Sequence, residues 1–247
     1  MKVIILAGGL GTRLRSVVSD VPKPLAPIQG TPYLAYMLNA LYAKGLREFI
    51  LSVGYKSAHF EKFIVSQKSR LPDLSLDLVV ESEPLGTGGA MQFCFNTHPD
   101  NRYLIFNGDS YCDFPLADLL AAANQHNMAM VVAKVDNISR YGEVSLREDG
   151  CVHAFHEKQP ETRPGWINAG VYCLPGDIFA DYHGPDSFSF EQAIMPGLLA
   201  QGVATVAAAG PFIDMGIPED YQRLAARPAH YFPVLPACSP AVADSNV

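Results

Sequence analysis

The chain has 247 residues, 17% of them charged, and its 18 Lys and Arg are outnumbered by 25 Asp and Glu for a net charge of −7. That balance argues against a protein that coats nucleic acid or holds to an anionic membrane by charge, although a pocket for one small anion needs only a few donors. The size supports a hydrophobic core without disulfide or metal staples. No apolar stretch approaches the ~20 residues of a membrane span, and the Val3–Ala7 run is too short for a signal-peptide core. Five scattered cysteines with no C-x-x-C spacing fit reduced thiols, so a cytoplasmic location is expected.

In chain order, Lys2–Ala7 reads as a buried parallel strand that runs into glycines. Thr31 and Pro32 supply an N-cap and a first-turn proline for a helix with Leu34, Met37, Leu38 and Leu41 on one face, stopped at Gly45. Phe49–Val53 is a second strand, Ala58–Ser66 a helix, Leu76–Val80 a strand and Gly89–Asn96 a helix. Tyr103–Phe106 is a strand ending at Asn107-Gly108-Asp109, followed by a helix over Leu116–Asn124 and a strand over Met128–Val135. Repeated β-then-α units predict a doubly wound, parallel α/β sheet. After Asp136, Glu143–Leu146 and Cys151–His156 flank an Asp149-Gly150 turn and predict a β-hairpin. Ile167–Leu174 is a strand, Phe190–Ala200 a single helix capped by Ser189, Val203–Ala208 and Phe212–Met215 are strands, and Pro218–Ala226 is the last helix. The expected organisation is one domain over 1–227, in two parts that divide where the pattern changes, about 1–135 and 136–227. A Pro/Ala-rich tail over 228–247 is expected on the surface or disordered.

Ligands of open α/β sheets gather at the carboxyl ends of the strands. The first such end, Leu6-Ala7-Gly8-Gly9-Leu10-Gly11-Thr12-Arg13-Leu14, fails the dinucleotide pattern G-x-G-x-x-G and also the P-loop pattern, because no Gly-Lys-Ser/Thr occurs. What remains is a glycine-rich turn whose bare amides can approach polyphosphate, with Arg13 beside it. Ten residues later Pro22-Lys23-Pro24 presents one ammonium from a stiffened loop. Amides plus two cations can stabilise a phosphoryl-transfer transition state. The failed dinucleotide pattern disfavours an NAD-dependent oxidoreductase.

The run Leu6–Leu14 with Pro22-Lys-Pro-Leu25 resembles the N-terminal motif of the sugar-nucleotide pyrophosphorylases, or nucleotidyltransferases. Later segments are similar in the same order: Glu81–Ala90, Asn107-Gly-Asp-Ser110, Arg140-Tyr-Gly142, Phe155-His-Glu-Lys158, Ile167–Gly170 and Phe212–Tyr221. The resemblance covers Met1 to Arg227 and implies that 1–135 is the nucleotide-binding part and 136–227 the sugar-phosphate-binding part. It implies a Rossmann-like, mostly parallel mixed sheet with a sugar-binding β-hairpin insertion, the GT-A-like fold. It also implies transfer of a nucleotidyl group from an NTP to a sugar 1-phosphate with release of pyrophosphate.

In this resemblance the nucleotide is held by Leu6, Ala7, Gly8, Gly9, Gly11, Thr12, Arg13, Lys23, Glu81, Gly86, Thr87, Asn107 and Gly108, and the sugar phosphate by Tyr141, Gly142, Glu157, Lys158 and Asn168. Mg²⁺ is placed on Asp109 and Asp214, and the catalytic set is Arg13, Lys23 and Asp109. The sequence departs from the family at Gln159-Pro160, where proline often follows the Glu-Lys pair directly. Glu81 suits guanine, whose N1–H and N2–H₂ lie side by side for one carboxylate, so GTP is the expected donor. The Ser187–Glu191 stretch and Gly216–Tyr221 are most similar to guanylyltransferases acting on D-glycero-α-D-manno-heptose 1-phosphate, which serve bacterial surface polysaccharides; mannose 1-phosphate enzymes are the alternative. At 247 residues, the extra C-terminal domain of many mannose relatives is not expected. A non-catalytic sensor of nucleotide sugars is a second class, disfavoured because both cations and both aspartates are present. The expected partners are GTP and the sugar 1-phosphate, with no nucleic acid or membrane; a homodimer is favoured over a tetramer.

Overall fold

A computed structural model of the chain describes residues 1–236 apart from 10, 15, 16, 19, 55 and 157–160; the side chain of Thr12 is also left aside. The elements in chain order begin with β1 (Lys2–Leu6), β2 (Pro27–Ile28), β3 (Thr31–Pro32), α1 (Tyr33–Ala43), β4 (Glu48–Val53), α2 (Ser57–Arg70) and β5 (Ser75–Val80). Next come α3 (Gly86–Thr97), β6 (Arg102–Asn107), β7 (Ser110–Tyr111), α4 (Leu116–His126), β8 (Ala129–Val135), β9 (Glu143–Leu146), β10 (Val152–His156) and β11 (Gly165–Pro175). The chain continues through α5 (Phe190–Ala193), α6 (Met195–Gln201), β12 (Ala204–Ala207), β13 (Ile213–Asp214), α7 (Pro218–Ala226) and α8 (Pro228–Tyr231).

The main sheet is mixed and mostly parallel. Strands β5, β4, β1 and β6 run side by side in one direction, β11 lies antiparallel beside β6, and β8 and β12 follow in the original direction. The β9–β10 hairpin joins through Ile167 of β11, which pairs with Glu143. Because the long strand β11 pairs with β6 through its second half, its first half is free to carry this hairpin.

Strand residues alternate between two cores. Val3, Ile5, Phe49, Leu51, Leu104 and Phe106 face one, with α1; Ile4, Ile50, Tyr103 and Ile105 face the other, with α3. Burial on both faces is why β1 reads as an unbroken apolar run. The direction of winding reverses at β1, which has β4 on one side and β6 on the other, so a crevice opens at the carboxyl ends of β1 and β6. Among the described residues, no helix is long and apolar enough to cross a membrane.

Several expectations need correction. Thr31 does not cap α1: Thr31 and Pro32 form β3 against Pro27–Ile28, and α1 starts at Tyr33 without a side-chain cap. Helix α3 begins at Gly86, three residues early, because its first turn is set by docking onto Phe188 and not by a local cap. The single helix expected over 190–200 is two, broken at Ile194; Pro196 lacks the amide that would bond Gln192. Ser189 does cap the first of them, its hydroxyl accepting from the Gln192 amide at 3.3 Å. Residues 228–232 are not a surface tail: Pro228, Tyr231 and Phe232 are buried, and the Phe232 ring packs on Tyr33, Tyr36 and Tyr111. Residues 237–247 of the expected tail lie outside the described residues.

Candidate active site

The crevice at the switch point is a cleft of about 410 Å³. Its walls include Leu6, Ala7, Gly8, Gly9, Gly11 and Arg13 from the turn after β1, Lys23 and Pro24, Glu81 after β5, Gly86 and Thr87 at the start of α3, and Asn107, Gly108 and Asp109 after β6. The turn after β1 is pinned at its base, where the Ala7 amide donates to the Ser52 carbonyl at 2.7 Å. Gly11 has φ +57, and a side chain there would meet the Lys23 Cβ at 2.9 Å, so glycine lets the turn and the lysine loop lie together.

Two aspartates that are far apart in sequence meet at Lys23, which walls this cleft. Strand β7, just after Asp109, pairs with β13, so that Ser110 lies opposite Asp214. The Met215 amide donates to the Asp109 carbonyl at 3.0 Å and fixes the approach. Lys23 Nζ stands between the two carboxylates, 2.5 Å from Asp109 Oδ2 and 3.7 Å from Asp214 Oδ1. Burial and the neighbouring Asp109 charge raise the Asp214 carboxyl above its ordinary pKa, opposed by Lys23, the Gly216 amide and Arg13. Beneath the pair the Tyr33 phenol is buried and held well above its ordinary value, first by burial and then by the charges of Asp109 and Asp214.

Glu81 is placed at the mouth of the turn. Its Oε1 accepts from the Ser52 hydroxyl at 2.8 Å, and its Oε2 accepts from the Leu85 amide at 3.3 Å. Gly8 makes room for it, since a Cβ there would stand 2.7 Å from Glu81 Oε1.

A family model described as nucleotidyl transferase matches residues 2–228. The chain belongs to the nucleotidyl transferase family. It is 37% identical over 237 residues to the D-glycero-alpha-D-manno-heptose 1-phosphate guanylyltransferase of Aneurinibacillus thermoaerophilus, covering 94% of this chain and 100% of that protein. The enzyme of the same name from Campylobacter jejuni is 35% identical over 221 residues, covering 90% and 97%. Among solved structures, HddC from Yersinia pseudotuberculosis superposes with a TM-score of 0.79 at 33% identity, covering 92% of this chain and 98% of that one, and has also been solved with GMP-PN. The expected GT-A-like α/β fold is therefore the fold of this nucleotidyl transferase.

Tyr141, Gly142 and Asn168, expected to hold the sugar phosphate, do not wall the cleft just described. A side chain at Gly142 would stand 3.3 Å from the carbonyl oxygen of His156, at the end of β10. Tyr141 is half-buried, its ring edge-on to Phe212 at 5.5 Å. Asn168 turns its side chain inward, accepting from the Gly170 amide at 2.9 Å and donating to the Tyr172 hydroxyl. Glu157 and Lys158, expected to complete this pocket, lie outside the described residues, as does the side chain of Thr12.

Two groups were not singled out from sequence for the site. Ser52 orients Glu81, and its only signal is one hydroxyl inside the apolar run Phe49–Val53. Glu191 accepts from the Thr87 hydroxyl at 2.8 Å, from Ser189 at 3.0 Å and from Tyr172 at 3.0 Å. The Thr87 hydroxyl, which also accepts from the Phe190 amide, is thus engaged by the protein itself, although the residue walls the cleft. The stretch ending in Glu191 stood out from sequence only as a subfamily mark.

Proposed function

We propose that this nucleotidyl transferase moves GMP from GTP to D-glycero-α-D-manno-heptose 1-phosphate, giving GDP-heptose and pyrophosphate for a bacterial surface polysaccharide. The observation that carries the reading is the meeting of the glycine turn, Lys23, Asp109 and Asp214 at the carboxyl ends of β1 and β6. The names of the two relatives and the guanine-nucleotide analogue bound to HddC support the choice of base and sugar.

The attacking atom is a phosphate oxygen of the sugar 1-phosphate, already anionic near pH 7, so no general base is needed. It forms a bond to the α-phosphorus of GTP while the bond from that phosphorus to the β-phosphate oxygen breaks, and pyrophosphate leaves with the electron pair. Catalysis reduces to bringing two polyanions together and offsetting charge at the α-phosphorus. The amides of Gly8, Gly9 and Gly11 with Arg13 cradle the triphosphate, and Lys23 moves from the aspartates to a phosphate oxygen. Glu81, preset by Ser52 and Leu85, accepts from guanine N1–H and N2–H₂. Gly142 and Asn168, with Glu157 and Lys158, hold the sugar phosphate.

Asp109 and Asp214 fit a hard divalent cation, proposed as Mg²⁺, because two carboxylates already share one positive charge. Such an ion, when bound, would supply Lewis-acid neutralisation of phosphate charge. The test is a matrix of five nucleoside triphosphates against several sugar 1-phosphates, read by pyrophosphate release. GTP with the heptose 1-phosphate should turn over fastest. Release with UTP or dTTP in preference to GTP overturns the base assignment, faster mannose 1-phosphate turnover overturns the sugar, and no release from any pair favours a sensor.

A further inference from the structure

Asp220 is the one carboxylate among the described residues that is buried, at 2% exposure. It sits in the first turn of α7, where the helix dipole favours a negative charge, but that preference is met equally well by an exposed residue. Its Oδ1 accepts from Arg223 Nη2 at 2.6 Å, three residues on and at the surface. Its Oδ2 lies 2.6 Å from Arg140 Nη1, eighty positions earlier in the chain. A buried ion pair adds little net stability, because desolvation offsets most of the attraction, so its placement calls for a geometric reason.

Arg140 immediately precedes Tyr141 and Gly142, and α7 follows Asp214 after a three-residue turn. The segment between Ile138 and Gly142 is held at two further points: the Ile138 amide donates to the Arg163 carbonyl at 3.1 Å, and the Tyr141 ring packs on Phe212, two residues before Asp214. The Arg140 guanidinium is thus spent on Asp220 from across the fold. The loop carrying Gly142 is fastened on both sides to the segment carrying Asp214.

We propose that Asp220 is a positioning residue: through Arg140 it holds the Tyr141–Gly142 loop in register with Asp214, so that the sugar phosphate is presented at the carboxylate pair. The inference rests on the proposed function, in which Gly142 belongs to the sugar side. It concerns the sugar side, since Asp220, Arg140, Tyr141 and Gly142 do not wall the nucleotide cleft.

The test is steady-state kinetics with each substrate varied in turn. Asp220→Asn and Arg140→Met should each raise KM for the sugar 1-phosphate by at least tenfold, about 1.4 kcal/mol. KM for GTP should stay within twofold. Arg140→Lys should recover part of the loss, and the double variant should be no worse than the poorer single, as expected of one unit. Arg223→Met, which removes only the surface arm, should leave both KM values near wild type. Should Asp220→Asn fail to fold, Arg140→Met still carries the test, because Arg223 continues to neutralise the carboxylate. An unchanged sugar KM, or an equal rise in both KM values, overturns the positioning role while wild-type turnover leaves the function intact. Absence of pyrophosphate release from the wild type would instead overturn the underlying function and this inference with it.

Discussion

Replacing Phe232 by alanine removes a side chain that is 1% exposed and touches three aromatic rings: Tyr33 at 5.9 Å, Tyr36 at 5.3 Å and Tyr111 at 4.4 Å between centroids. Truncating a fully buried phenylalanine costs about 3–5 kcal/mol, the lost transfer energy plus the cavity left behind. That range, from whole-side-chain truncations, already contains the lost ring pairing, so the expected loss is about 4 kcal/mol. At this chain length such a loss lowers Tm by about 8–16 °C. Urea unfolding followed by the fluorescence of Trp166, the sole tryptophan, measures it directly. The change should also reach the site, because Tyr111 lies in β7, whose Ser110 pairs with Asp214. A partial fall in turnover is therefore expected at temperatures where the variant is still folded. A stability loss below about 1.5 kcal/mol would refute the reasoning and restore residues 228–232 to the surface.

Lys23→Met should lower turnover at least about a hundredfold, and in the absence of nucleotide it should tighten Mn²⁺ binding, read by electron paramagnetic resonance, about tenfold, since the aspartates lose their shared counter-charge. Unchanged Mn²⁺ affinity would detach Lys23 from the pair. Glu81→Gln should cut the preference for GTP over UTP about tenfold by removing a charged acceptor, compared through kcat/KM for the two nucleotides. Gly86→Ala forces a side chain onto a residue with φ +70 and to 2.4 Å from the Phe188 carbonyl oxygen. It should cost about 1–3 kcal/mol in thermal unfolding, and an unaltered Tm would show that the 186–188 segment gives way freely.

What was legible in the sequence is what local pattern determines. The apolar run of β1, the glycine turn after it and the proline-led start of α7 at Pro218 each depend on residues within a few positions of one another. The pairing of β7 with β13 was not expected from the sequence; only family resemblance put Asp109 and Asp214 together, because no periodicity links residues a hundred positions apart. Tertiary contacts explain most of the rest. The start of α3 follows Phe188, and the burial of Pro228, Tyr231 and Phe232 follows a tyrosine cluster drawn from α1 and β7. The break at Ile194 is a different case: Pro196 is plain in the sequence, and the single-helix expectation passed over it. Ser52 shows the limit of composition, since one hydroxyl in a strand says nothing until the carboxylate it holds is brought beside it.

The charge of the cleft decides how a polyphosphate can enter. From sequence, Arg13, Lys23 and Lys158 suggest a positive pocket within an acidic protein. Among the described residues, Arg13 and Lys23 face three carboxylates, those of Glu81, Asp109 and Asp214, and Lys23 is held by two of them. The bare cleft therefore does not attract a triphosphate by field alone, and the phosphates must compete with Asp109 and Asp214 for Lys23. On the proposed function, Asp109 and Asp214 would hold a divalent cation, which would offset their charge in place of Lys23 and leave the lysine to the phosphates. Binding of a non-hydrolysable GTP analogue, measured by calorimetry, should accordingly be at least about tenfold weaker in EDTA than with excess divalent cation. Equal affinity in EDTA would mean that the turn amides and Arg13 suffice, and that Asp109 and Asp214 serve the protein's folding and not its substrate.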